Sequence, residues 1–167
     1  LSTPGQVSRW REAGGGACDV MIDTGMNRLG LAPEDAAAGL LDGLAIDTLM
    51  SHLACADEDV PLNARQRDAL AALAGRTSAR RLSLANSAGV ALGPDYAFDL
   101  TRPGLSLYGG VQRSALAARI ARVATPEAQI LQRRRVPAGA TIGYSATFTA
   151  PAPTEVVALS PSDPPEP

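Results

Sequence analysis

Apolar residues along this chain of 167 residues fall into short runs separated by Gly and Pro, and the spacing within the runs alternates between helical and extended periods. TPGQVSRWREAGGG places Thr3 as an N-cap, Pro4 at the first helical position, and Val7, Trp10 and Arg11 at helical spacing, which predicts a short helix. ACDVMID, with β-branched Val20 and Ile22, predicts a strand buried on both faces. APEDAAAGLLDGL has Pro33, Glu34 and Asp35 at its start and Gly43 near its end, and predicts a second helix. IDTLMSHLA, 46–54, predicts a second strand ending near His52. Asn63 is the predicted cap of a third helix, ARQRDALAALAGR, with Leu70 and Leu73 on one face and Gly75 as its stop. RRLSLANSAGV predicts a third strand and DLTRPGLSLYG a fourth.

Strand, turn and helix recur in units of roughly 30 residues, the pattern of parallel βαβ architecture. Four such strands make half of an eight-stranded barrel or a small open sheet. After Tyr108 the helical period disappears. ARIARVATPEAQILQRRRV alternates like a strand, VPAGATIGY is punctuated like a turn, and ATFTAPAPTEVVALS reads as another β pair. The expected division is a partial β/α barrel over 1–110, a β-rich segment over 111–159, and a proline-rich tail without fixed structure over 160–167.

Composition narrows the function. A net charge of −2 with 46% apolar residues gives no electrostatic reason to expect nucleic acid or an anionic membrane as partner. No run approaches the roughly 18 apolar residues of a membrane span, and LSTPGQVSRW lacks the layout of a signal peptide, so a cytoplasmic location is expected. Cys18 and Cys55 sit in apolar segments without CxxC spacing and read as buried free thiols. The single histidine argues against zinc, and no metal site is expected. All fifteen basic residues are arginine; the chain has no lysine.

In parallel α/β folds, function collects at the C-terminal ends of the strands. Those ends carry Arg28, His52, Asn86 with Ser87, and Arg102 with Gly104. Asn86, Ser87, Gly104 and Leu105 suit a phosphate, because small residues let backbone N–H groups approach it. Plainer readings stand beside these: Asn86-Ser87 as a helix cap, His52 as a core histidine, Arg28 and Arg102 as ion pairs with Asp23 or Asp99, and Tyr144 as a strand aromatic.

VMIDTGMNRLGL, HLACADE, LANSAG, RPGLSLYG and GYSATFTAP, in this order and spacing, resemble bacterial alanine racemase from about Thr3 to about Leu159. The resemblance implies the second half of a (β/α)8 barrel binding pyridoxal 5′-phosphate (PLP), followed by the start of an all-β C-terminal domain. It also implies a head-to-tail homodimer that interconverts L- and D-alanine for peptidoglycan precursors. Carried over by motif, Arg102 faces the PLP ring nitrogen, and His52 belongs to the hydrogen-bonding layer behind it. Asn86, Ser87, Gly104 and Leu105 surround the phosphate, Arg28 supports the substrate carboxylate, and Tyr144 is one of two catalytic bases, reaching into the partner's site. A guanidinium only donates, so it keeps the ring nitrogen unprotonated and the cofactor a weaker electron sink, which favours simple reprotonation over transamination.

Two departures qualify that expectation. The family's second base is the lysine that also holds PLP as a Schiff base on the first barrel strand, and no residue here can fill that role, so the chain alone is expected to be inactive. Met21 stands where many relatives carry a carbamylated lysine beside the substrate-side arginine, and Asn27 is the candidate to orient Arg28 instead. Half a barrel also exposes strand edges; both ends of the chain read as interior points of a longer gene product. The alternatives kept open are a non-catalytic PLP-binding barrel protein and an amino-acid racemase of broader range.

Overall fold

The computed structural model describes residues 1–160, and the tail expected over 160–167 lies outside them from residue 161 on. The chain divides into two compact units, Leu1–Val123 and a second beginning at Ala124.

In the first unit, α1 (Pro4–Glu12) starts as the sequence predicts: the Thr3 hydroxyl accepts from Gln6 N, and the Gln6 side chain returns a bond to the backbone at Thr3. β1 (Ala17–Met21) follows, then a short turn of helix, α2 (Pro33–Asp35). The second helix expected from the sequence does not continue regularly. Ala36–Leu40 wind more widely, and Gly39 at φ +95° leaves helical geometry. β2 (Ala45–Met50), α3 (Pro61–Ala74), β3 (Arg81–Asn86), α4 (Pro94–Ala97), β4 (Leu100–Arg102) and α5 (Gly104–Leu107) complete the repeat.

The four strands form one parallel sheet in the order β1-β2-β3-β4. Val7, Val20, Ile22, Leu49, Leu70 and Leu84 are fully buried together against it. The expectation that β1 is buried on both faces is not met: Val20 is buried, while Ala17 and Asp19 are exposed. β1 has β2 on one side only, and Met21 N on its other side donates to the carbonyl of Leu1 at 2.9 Å. The fourth strand is only three residues long, because Pro103 has no N–H to extend the ladder and Gly104–Leu107 turn into helix.

Asn63 is not the cap of α3. The helix starts two residues earlier, on Pro61, and Asn63 lies inside it, its Nδ2 donating to the carbonyls of Cys55 and Glu58 at 3.1 and 2.8 Å. Pro61 supplies the start instead, since its missing N–H would have no partner in the first turn. Leu70 and Leu73 are buried, and Gly75 ends the helix as the sequence predicts. Cys18 and Cys55 are free thiols, half-buried rather than buried, and burial pushes the Cys18 thiol pKa up.

In the second unit, β5 (Ile130–Val136) pairs antiparallel with β8 (Thr154–Leu159), and β6 (Thr141–Ile142) pairs with β7 (Phe148–Thr149). Strand structure in ARIARVATPEAQILQRRRV is thus confined to its last seven residues. The two strands of ATFTAPAPTEVVALS pair with earlier strands rather than with each other, since Pro151 and Pro153 lie between them and cannot donate to a ladder. Among the described residues, no helix is long and apolar enough to cross a membrane.

Candidate functional site at the carboxyl edge of the sheet

The loop after β1 closes on a single carboxylate. Asp23 Oδ1 accepts from the N–H groups of Gly25, Met26 and Asn27 at 2.9–3.0 Å, and Oδ2 accepts from Arg28 N at 3.1 Å. Burial acts to raise the Asp23 pKa, but the four donors outweigh it and hold the group below the usual carboxylate range. Leu31 then returns to the strand, donating to the carbonyl of Met21 at 2.8 Å and accepting from Asp23 N at 3.0 Å. Gly30, at φ +133°, makes that return possible: a Cβ there would stand 2.5 Å from Asp23 N. Arg28 rides on this loop with an exposed side chain, and Asp23 binds its backbone, not its guanidinium. The ion-pair reading of Arg28 with Asp23 is therefore overturned.

Arg102, half-buried at the end of β4, is held by oxygens alone. Nη1 donates to Ser83 Oγ, and Nη2 donates to the carbonyl of Ser51 at 2.7 Å. Ser83 passes its own hydrogen to the carbonyl of Leu100 at 2.6 Å. Asp99 does not pair with Arg102; its Oδ2 accepts from Leu82 N at 2.8 Å. Among the described residues no carboxylate neutralises this guanidinium, and burial lowers its pKa. A half-buried cation with unused donors is prepared for an acceptor from outside the chain.

His52 follows β2 and is half-buried, its Nε2 3.5 Å from Asn86 Nδ2. Burial first, then the charges of Arg102 and Arg28, push its pKa down, so the ring stays neutral to lower pH than an ordinary histidine. A second cation beside Arg102 is thereby avoided. Asn86 Oδ1 also accepts from Gly89 N at 2.9 Å and closes the turn after β3, but the N-cap of the helical turn Gly89–Leu92 is Ala88, so Asn86-Ser87 is not its cap. Gly89 permits that turn, since a Cβ there would come within 2.9 Å of Leu53 Cδ1. Ser87 is buried, and its Oγ accepts from Ser106 N at 3.0 Å, joining the ends of β3 and β4. Gly104 and Leu105 open α5 and are exposed, with nothing within 4 Å of a Cβ placed on Gly104. Space and first-turn N–H groups coincide there.

Four residues that the sequence reading passed over complete this edge. Gln66, on α3, is fully buried; its Nε2 donates to the carbonyl of His52 at 2.9 Å and to Thr24 Oγ1 at 3.4 Å, and its Oε1 accepts from Ala54 N at 2.9 Å. The hydroxyls of Thr24 and Ser51 lie 2.6 Å apart, and Ser51 and Ser83 hold Arg102. One signal was available: Asn63, Gln66, Leu70 and Leu73 form a single buried stripe on α3, so two amides interrupt an apolar face. The opposite end of the sheet is structural, with Asp47 between Arg80 and Arg81 at 2.5 Å from each.

Tyr144 belongs to the second unit. It lies in a turn, Tyr144–Ala146, with its side chain fully exposed and with Ser145 and Ala146 at φ +59° and +50°. It is not a strand residue.

A parallel β/α sheet with its polar and cationic side chains gathered at the strands' carboxyl ends is the layout of a barrel-type enzyme. The family "Alanine racemase, N-terminal domain" matches residues 1–112, and the chain belongs to the alanine racemase family. It is 46% identical over 163 residues to alanine racemase of Rhodospirillum rubrum, covering 91% of this chain and 44% of that protein. Against alanine racemase of Jannaschia sp. the identity is also 46% over 163 residues, covering 96% and 46%. Among solved structures, the biosynthetic alanine racemase of Pseudomonas aeruginosa superposes with a TM-score of 0.66 at 30% identity, covering 96% of this chain and 48% of that one. The Bartonella henselae enzyme, solved with covalently bound pyridoxal phosphate, gives 0.62 at 26% identity over the same shares. The chain spans about half the length of the relatives it matches.

Proposed function

We propose that this chain supplies the ring-nitrogen, phosphate and substrate-carboxylate sides of a PLP-dependent alanine racemase, and that the amine holding the cofactor comes from outside these 167 residues. The observation that carries the reading is Arg102: a half-buried guanidinium aimed by Ser51 and Ser83, without a carboxylate partner among the described residues. This donor set fits the cofactor. A donor-only group suits an unprotonated pyridine nitrogen, and the open space at Gly104 suits a phosphate beside Ser87. When bound, PLP supplies the electron sink that makes the Cα proton of an amino acid removable.

The chain's own residues do the rest. Arg102 holds the ring nitrogen as an acceptor and His52 stays neutral behind it; Asn86, Ser87, Gly104 and Leu105 seat the phosphate. Arg28 binds the substrate carboxylate from a loop fixed by Asp23, with no carbamylated lysine at Met21 to orient it. Tyr144 exchanges a proton with Cα from one face, in a partner subunit's site, within a homodimer. Bacterial, cytoplasmic supply of D-alanine for the cell wall is the matching role, with the barrel portion over 1–110 and the β portion from 111. A racemase of broader range would use the same groups.

Pyridoxine 5′-phosphate tests the cofactor reading, because it lacks the aldehyde and cannot react with the Leu1 amine. The chain holds one histidine, so the His52 C2–H proton gives one NMR signal to follow. Saturable movement of that signal is expected on titration, and its absence up to millimolar ligand would overturn the reading. With PLP itself, borohydride reduction is expected to mark no residue other than Leu1.

A further inference from the structure

We propose that Gln66 is a positioning residue for this site: its buried amide ties the loop after β1 to the loop after β2, and so fixes where the His52 ring and the Arg102 guanidinium stand. What those two groups bind rests on the functional reading above; their placement does not.

The amide is used in both directions. Its donors reach the His52 carbonyl and the Thr24 hydroxyl, while its oxygen takes the Ala54 N–H, so the backbone on either side of Leu53 is gripped from one helix. From Thr24 the connection runs to the Ser51 hydroxyl at 2.6 Å, and the Ser51 carbonyl receives Arg102 Nη2 at 2.7 Å. Gln66 thus reaches Arg102 by two routes with two residues between them in each: His52 and Ser51 along the backbone, and Thr24 and Ser51 through their hydroxyls to the Ser51 carbonyl. Helix packing alone does not call for an amide. On the stripe shared with Leu70 and Leu73, an apolar side chain of similar length would fill the space without the desolvation cost of an amide; Gln66 offsets that cost with bonds from both its oxygen and its nitrogen, whereas the Asn63 oxygen is left without a partner among the described residues.

Asn63, on the same stripe, supplies the contrast. It binds the carbonyls of Cys55 and Glu58, and Arg113 binds Ala56, Glu58 and Asp59 of that same loop, farther along the chain from His52. Loss of Asn63 loosens a loop; loss of Gln66 frees the groups that face the ligand. Burial lowers the His52 titration most, and the charges of Arg102 from β4 and Arg28 from the loop after β1 add to it. Because Gln66 holds the backbone that keeps the ring buried and beside those charges, its removal returns the His52 titration toward the ordinary histidine value.

The test uses the full chain and the His52 proton signal. Gln66→Met is expected to move the His52 titration upward and to weaken pyridoxine 5′-phosphate about tenfold, the effect of roughly one lost hydrogen bond to the site's frame. Gln66→Glu keeps the shape and the acceptor toward Ala54, loses both donors when ionised, and is expected to move both readouts the same way. Asn63→Ala, compared at equal distance from its own urea midpoint, should leave the His52 titration at its wild-type position. A wild-type His52 titration in both Gln66 variants would overturn the positioning role, as would an equal shift in Asn63→Ala. Should His52 shift in the Gln66 variants while the wild-type chain fails to bind pyridoxine 5′-phosphate, the positioning role stands and the cofactor reading falls.

Discussion

Tyr144→Phe is expected to lower kcat for alanine racemisation by roughly 10²- to 10⁴-fold, the usual contribution of a positioned acid–base group, in a hybrid where residues 1–160 replace the matching segment of the Rhodospirillum rubrum enzyme. The change removes one oxygen and leaves the ring, so the turn carrying Ser145 and Ala146 at positive φ keeps its shape. A phenol exposed to this degree makes no contact that stabilises its own unit, and urea unfolding should therefore be nearly unchanged. Because a second base is assumed on the opposite face, the loss should be unequal in kind: exchange of the α-deuteron of one alanine enantiomer should fall much further than that of the other. Equal losses for both would indicate that Tyr144 shapes the site without handling the proton.

Arg102→Met is expected to weaken pyridoxine 5′-phosphate binding by the intact chain roughly 10- to 100-fold, matching the loss of about 1.5–3 kcal/mol for a hydrogen bond to a charged donor. Methionine fills part of the volume but leaves the Ser51 carbonyl and the Ser83 hydroxyl without their donor. One of the charges holding the His52 pKa down also disappears, so His52 should titrate higher in this variant than in wild type. Unchanged affinity together with a raised His52 titration would mean that Arg102 orders the edge without meeting the ligand.

The sequence made the local features of this fold legible because they are written in neighbouring residues. Thr3 and Pro4 announce α1, Leu70 and Leu73 mark the buried side of α3, and the β-branched Val20 and Ile22 mark a strand. Pairing was not legible, since it depends on residues far apart: β8 joins β5 across the intervening β6 and β7, and β1 lies at an edge that its apolar composition did not disclose. Asn63 was misassigned for the same reason. Its cap chemistry is intrinsic, but the carbonyls of Cys55 and Glu58 claim its amide inside the helix.

Chain position was enough to single out Arg28, His52, Asn86, Ser87 and Arg102 as candidates, because each ends a strand or lies in the loop after one. Gln66 was hidden by lying on a helix rather than after a strand, and Ser83 by lying inside one. What those two hold, the His52 carbonyl and the Arg102 guanidinium, is visible only in three dimensions. The same geometry removed the ion-pair readings: Asp23 is consumed by four backbone N–H groups and Asp99 by one.

This chain is proposed to carry a working share of an alanine racemase site but no lysine to hold the cofactor. Racemisation of L-alanine by the hybrid, followed through formation of D-alanine in the presence of PLP, tests it most directly. Activity is expected in the hybrid, if the cofactor-holding lysine lies in the rest of the Rhodospirillum rubrum protein, and none above background in the 167-residue chain alone. A folded hybrid that binds PLP and forms no D-alanine, or a lysine-free chain that racemises by itself, would contradict it.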